Sequence, residues 1–466
     1  MSALYGLLLF VWVTIVQGRD PIGQNLILIL ADGFGNSLLN SSQNDVNIGL
    51  KAIAENGVTT EFLRPSFPTH SWPNSMSLIT GLYPDSHGFS ADYMYDEQSQ
   101  MAFEKGYGIN DTEDVWWKGR PAPIWYTAGK KGVDINCYWF AHCHRPYWDL
   151  VVKVPNHRWA DLGNPQQTDR LGEIIPEVVS RIAKYQSHKQ QFFLIRSSSV
   201  GNALRMHGPN SDEAEQALQR FDLHVHNLQQ ELEKEKLSSS TNLVVIGDHG
   251  LRGINEEEQF YLEECLADYS RVKKVVNMHS MVMVFTDPEE EGNVHFELHV
   301  CEQWGMVTDY DENDIPLVKA YKLSELPEDL HWKDSRFMSG VILMTKPGVS
   351  IITRELPSVP DLGDIARDAK YTGGWLPDVD EMKGFFMARG PAFKVNEKHP
   401  PVDMVDVYQV LLNILSIDPN PNNGTWTNVE AMLTEGWEDR QSHESSTEQR
   451  IVVFSILFCL ITRLLW

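Results

Sequence analysis

Three continuous apolar runs constrain this chain more than anything else in it, because each ends in residues able to do chemistry. Asn25–Leu30 runs into Ala31-Asp32-Gly33. Thr241–Gly247 runs into Asp248-His249-Gly250, and Gln191–Arg196 runs into a serine-rich loop. Short unbroken runs of Leu, Ile and Val read as strands buried on both faces, the pattern of a parallel sheet covered by helices. In open α/β sheets ligands sit beyond the carboxyl ends of the strands. Asp32 and Asp248-His249 are therefore expected at the functional edge.

Between the last two runs the spacing predicts an amphipathic helix. Ala214, Leu218, Phe221, Val225, Leu228 and Leu232 recur every three or four residues. Ser211, followed by Asp212 and Glu213, supplies its cap and acidic first turn. His224 and His226 on this helix read as packing or solvated residues, not ligands. Alternating strand and helix patterns give an α/β fold, with a mostly parallel central sheet flanked by helices. The stretch from about 255 to 350 lacks that alternation and reads as an insertion or a less regular part of the same domain.

The 466 residues carry 64 acidic against 39 basic side chains, a formal charge of −25. Such a surface repels nucleic-acid backbones, so no nucleic-acid polymer is expected as a partner. A small phosphorylated ligand is not excluded, because a bound metal ion can dominate the local field.

Leu4–Val16 with Val16-Gln17-Gly18 reads as a secretory signal over 1–18, the alternatives being a signal anchor or a buried strand. A single domain follows over 19–433, then a polar stalk over 434–450 and an apolar tail over 451–466. The tail, interrupted by Arg463, is short for a spanning helix of about 20 residues. It suits a GPI signal or a short membrane anchor. Sequons at Asn40, Asn110 and Asn423 agree with a lumenal route to the cell surface or the extracellular space. Cys459 lies in the tail. Cys137, Cys143, Cys265 and Cys301 can form two disulfides in any of three pairings.

In Phe67–Asn74 (FPTHSWPN), Pro68 and Pro73 bracket Ser71. A serine is a weak nucleophile until a base or a metal lowers its pKa. Asn74 is placed to donate a hydrogen bond to a phosphoryl oxygen. Asp32, Asp248 and His249 offer the O and N ligands that zinc accepts.

The ordered motifs Leu30–Phe34 (LADGF), Ala52–Val58 (AIAENGV), Phe67–Asn74, Ser77–Gly88 (SLITGLYPDSHG), Pro123–Trp125, Asp248–Gly250, Gly390–Phe393 (GPAF) and Pro421–Thr425 resemble those of the ecto-nucleotide pyrophosphatase/phosphodiesterase family. The resemblance covers about residues 25 to 430. It implies an alkaline-phosphatase-like fold and two zinc ions about 4 Å apart. It also implies that Asp32, Asp248, His249 and Ser71 surround one zinc, with Ser71 as nucleophile and Asn74 as the phosphate-binding residue. His87, inside the Ser77–Gly88 motif, reads as structural.

The ligands of the second zinc depart from the family pattern. Counting from Gly208-Pro209 places Gly201 and Arg205 where that pattern has Asp and His. Counting from Gly390-Pro391 places Gly374 where it has another His. Glycine has no ligating side chain, and a charged guanidinium does not bind a cation. Arg205 is expected to hold phosphate or carboxylate instead. His207, Asp378 and Asp380 are the residues available to rebuild the site. The resemblance thus implies a cell-surface hydrolase fold with one zinc expected, acting on or binding a phosphorylated small molecule or phosphodiester, with impaired or lost turnover. The alternative is an active phosphodiesterase for extracellular nucleotides or choline phosphodiesters, with a rebuilt second site.

Overall fold

The computed structural model describes residues 25–39, 48–104, 113–140, 143, 150, 152, 170–185, 188–302, 306–308, 314–333, 336–359 and 370–434. The expected signal, nearly all of the stalk, the tail and the sequons at Asn40 and Asn110 lie outside these residues. Among the described residues no helix is long and apolar enough to cross a membrane.

The centre is a seven-stranded sheet made of β1 (Asn25–Ala31), β2 (Val58–Thr60), β3 (Asp134–Tyr138), β4 (Gln191–Ser197), β5 (Thr241–Gly247), β6 (Phe385–Arg389) and β7 (Glu397–His399). Its order is β7-β2-β6-β5-β1-β4-β3. Every pairing is parallel except the two made by β6, which runs against β2 and β5.

The unbroken apolar runs follow from burial on both faces. Leu26, Leu28 and Leu30 of β1 enter one core, together with Trp72, Met76 and Ile79 of the helix Ser71–Thr80 and much of Met404–Ile414. Ile27, Ile29 and Ala31 enter the opposite core, against Leu171–Tyr185 and Asp212–Lys234. Each large apolar side chain removed from water contributes roughly 1.5–3 kcal/mol.

The amphipathic helix runs over Asp212–Lys234, and all six spacing residues are buried. The Ser211 side chain accepts from the Ala214 N–H at 3.2 Å. Ser211→Ala is expected to cost about 1 kcal/mol, read from the urea midpoint, with the denaturant slope unchanged.

The stretch from about 255 to 350 is regular after all. Five strands form a second sheet in the order Val318–Lys322, Val341–Thr345, Met281–Thr286, Val272–Asn277 and Ser358–Val359. All pairings are antiparallel except that of the short Ser358–Val359 strand. One face carries the helix Glu291–Glu302. The other face packs around Phe67 and Trp332, beside the loop that leads to Ser71. Phe67 and Trp332 meet edge to face with centroids 5.1 Å apart. Of the three possible pairings, the disulfides are Cys137–Cys143 and Cys265–Cys301.

His87 sits in the core with no solvent exposure. Its Nδ1 accepts the Phe89 N–H at 3.1 Å, and its Nε2 lies 3.3 Å from the Ser77 hydroxyl. Burial first, then the nearby Arg120 charge, pulls its pKa from 6.5 down to about 3. Between those values the unfolded chain binds a proton that the folded protein refuses. The resulting stability is complete above pH 6.5 and is lost as the pH falls toward 3. Urea titrations from pH 6.5 to 5 should show about 2 kcal/mol more loss for the native chain than for His87→Leu.

Candidate functional site

Strand pairing explains how residues more than two hundred positions apart converge. β1 and β5 are parallel neighbours with Ala31 opposite Gly247, so Asp32 and Asp248 leave the sheet side by side. β4 flanks β1 on the other side with Arg196 opposite Leu30. Ser71 opens the helix Ser71–Thr80, whose first turn tolerates Pro73 because those N–H groups have no partner within the helix. Gly81 closes that helix in the left-handed region at φ 70°.

The Ser71 hydroxyl donates to Asp32 Oδ1 at 2.6 Å and lies 3.2 Å from His249 Nε2. His249 Nδ1 is 2.7 Å from the Gly250 carbonyl, which only accepts, so Nδ1 carries the proton and Nε2 turns its lone pair toward Ser71. Asp248 Oδ1 accepts from the Gly33 and His249 N–H groups at 2.8 and 2.9 Å. Asp32, Asp248 and His249 offer ligand atoms that all lie within 4.8 Å of one another, and all three side chains are buried. Carboxylate oxygens, a hydroxyl oxygen and an imidazole lone pair converge on one point, which is a donor set suited to zinc. The four residues expected around one metal are therefore brought together.

Two residues missed by the sequence reading share the site. Arg196, in the buried end of β4, contacts Asp32 Oδ2. Burial, with the Arg205 charge nearby, holds its pKa well below the usual guanidinium value against the opposing effect of the Asp248 carboxylate. Its signal was present: a lone charge closing an apolar run, as at Asp32. Asp92 accepts the Trp72 N–H through Oδ1 at 2.6 Å, so a carboxylate occupies an amide donor next to the nucleophile. Nothing local in the sequence marks it.

Asn74 requires a correction. Its Nδ2 donates to the carbonyls of Ser66, Pro68 and His70 at 3.1, 3.2 and 2.9 Å. Its Oδ1 accepts the Ser66 N–H at 2.7 Å. Both amide hydrogens are engaged in holding the loop ahead of Ser71, so Asn74 shapes the turn and does not face a phosphoryl oxygen.

Gly201, Arg205 and Gly374, the positions expected to lack second-zinc ligands, also lie near this site. Arg205 Nη2 lies 3.1 Å from Asp32 Oδ1 and 3.4 Å from the Ser71 hydroxyl. A Cβ on Gly201 would stand 2.1 Å from the Asp32 carbonyl oxygen. Gly374 has φ +102°, and a Cβ there would stand 2.1 Å from Ser280 Oγ and 2.5 Å from His70 Nε2. Backbone of Asp32 fills the space a side chain on Gly201 would need, and the Ser280 and His70 side chains fill the space at Gly374. The residues named for rebuilding face elsewhere. His207 is exposed in the last turn of Ser199–His207. Asp378 pairs with Arg64 and Asp380 with Lys383, both at the surface. The residues present therefore fit one metal and do not fit a second among the described residues.

Of the sequons, Asn423 lies within the described residues; it is exposed, and its Oδ1 accepts the Tyr83 N–H at 3.1 Å.

The chain matches the family described as type I phosphodiesterase / nucleotide pyrophosphatase over residues 26–375. It is 27% identical over 457 residues to bis(5'-adenosyl)-triphosphatase enpp4 of Xenopus laevis, covering 97% of this chain and 92% of that protein. It is 25% identical over 417 residues to the Bos taurus protein of the same name, covering 88% of this chain and 82% of that protein. Its fold is similar to murine ectonucleotide pyrophosphatase / phosphodiesterase 5 in an inactive form with AMP, at TM-score 0.73 and 21% identity, over 88% of this chain and 99% of that one. The α/β sheet, the strand-end carboxylates and these matches together make the chain a member of the type I phosphodiesterase / nucleotide pyrophosphatase family, in the alkaline phosphatase superfamily.

Proposed function

We propose that this protein is a cell-surface member of the family that binds an extracellular nucleotide-like phosphate at a one-metal site and turns it over poorly or not at all. The observation that carries the reading is the asymmetry around Ser71: Asp32, Asp248 and His249 are assembled on one side, while Gly201, Arg205 and Gly374 stand on the other. The relatives' names favour nucleotides as ligands, and two disulfides favour an oxidising compartment.

Asp32, Asp248, His249 and Ser71 would hold the ion. Zinc bound there supplies Lewis acidity that lowers the pKa of the serine hydroxyl. Asp32 orients that hydroxyl through the 2.6 Å bond. Ser71 Oγ would attack phosphorus, forming the Oγ–P bond as the bond to the leaving-group oxygen breaks. Release of the phosphoryl group then needs an activated water, and Gly201 and Gly374 offer no side chain to hold one. Arg205 can steady negative charge but cannot make water a nucleophile. Asp92 adds a negative charge beside the helix start, where an incoming phosphoryl oxygen would be repelled.

The test combines metal analysis with a chromogenic phosphodiester assay. About one equivalent of zinc is expected, with turnover roughly a thousandfold or more below a two-zinc relative. Normal family rates abolished by Ser71→Ala would defeat the reading.

A further inference from the structure

We propose that Arg205, backed by Arg196, forms an oxyanion seat that works without metal, and that its ligand is a phosphate dianion: inorganic phosphate or a terminal phosphomonoester. The inference rests on the reading above that this pocket receives a phosphorylated molecule, and it names which charge holds that molecule.

The two guanidiniums divide the work by depth. Arg196 is buried, with 6% of its side chain exposed, and engages Asp32 Oδ2 from inside the sheet. Arg205 reaches Asp32 Oδ1 from the helix Ser199–His207 and keeps 25% of its side chain exposed. Asp32 thus has an interior counter-charge that does not depend on Arg205. A guanidinium carries five N–H donors in a planar fork, and the contacts that Arg205 makes with Asp32 and Ser71 both use Nη2. Any anion that approaches the Ser71 hydroxyl comes within reach of that fork.

The charges facing the seat are Asp32, Asp248 and Asp92 on one side and Arg196 and Arg205 on the other. Arg196 and Arg205 offset Asp32, so the extra gain of a dianion over a diester monoanion at Arg205, which scales with the product of charges, is opposed by Asp248 and Asp92. Arg205 is also held in place from behind. The Lys370 N–H donates to the Arg205 carbonyl at 2.9 Å, and the guanidinium packs over Gly33, where a Cβ would meet Nη2 at 3.0 Å. A cation already fixed beside the nucleophile loses little freedom on binding.

The experiment is calorimetric titration of the purified ectodomain with inorganic phosphate, after exhaustive chelation and then with zinc restored. Saturable binding is expected in the chelated protein, weakened about tenfold or more in Arg205→Gln and less in Arg205→Lys, which keeps the charge but loses the fork. Melting curves identify any variant that fails to fold, and Arg205→Lys then carries the comparison. Absence of binding in chelator, or equal affinity in Arg205→Gln, overturns the proposal. Binding that appears only with zinc overturns it too, while leaving the one-metal reading intact. Phosphate binding by a protein that takes up no zinc supports the seat and removes the metal from the proposed function.

Discussion

Arg196→Met is expected to lower the unfolding free energy by about 3–5 kcal/mol in chelated protein, the range for breaking a buried ion pair from one side. Asp32 is 1% exposed at the end of the central strand, and Arg196 is 5% exposed on the neighbouring one. Without that guanidinium the buried carboxylate keeps Arg205, at a partly exposed 3.1 Å contact, and the Ser71 hydroxyl. Urea denaturation in chelator measures the loss. The double variant with Asp32→Asn should recover most of it, because the charge that needed a partner is gone. Zinc should also recover part of the loss in Arg196→Met, since a cation restores the missing counter-charge. A loss below about 1 kcal/mol would mean that Arg196 is not the charge offsetting Asp32.

Placing a ligating side chain at position 201 or 374 should destabilise the protein. Gly201→Asp places a side chain 2.1 Å from the Asp32 carbonyl oxygen, so the helix Ser199–His207 must move away from β1. Gly374→His meets Ser280 and His70 and also forces a non-glycine residue into φ +102°. Overpacking costs typically 1–3 kcal/mol, and the backbone strain adds about 1–3 kcal/mol more. Each variant is expected to lose stability by about that much in thermal melts, with no rise in phosphodiester turnover. A variant of normal stability that gains zinc and activity would show that the closure over these positions is soft. A side chain at both positions needs the helix Ser199–His207 and the loop around Gly374 to move.

What the sequence made legible was set by burial. β1, β4 and β5 are covered on both faces, so their apolar runs could not be disguised, and the acids at their ends came with them. The helix Asp212–Lys234 showed its core stripe and its cap for the same reason. The second sheet escaped because its hairpin turns at His279 and Ser280, with neither Gly nor Pro to mark it, and His279 takes φ 64°. Asn74 was misread because local spacing could not reveal that its amide would be engaged by the three carbonyls just before it. Asp92 reaches Trp72 from twenty positions away, through a contact that only the folded chain creates.

The two sides of the Ser71 pocket differ in what their loss would do to the molecule. Asp32, Asp248 and Arg196 are the tips of core strands, so their geometry is inherited from the hydrophobic interior and persists as long as the protein stays folded. Gly201, Arg205 and Gly374 belong to a short helix and a loop outside the central sheet, with both glycines buried. Changes confined to that helix and loop leave the strand tips where they are, so the Asp32 and Asp248 wall of the pocket is kept as a by-product of staying in one piece.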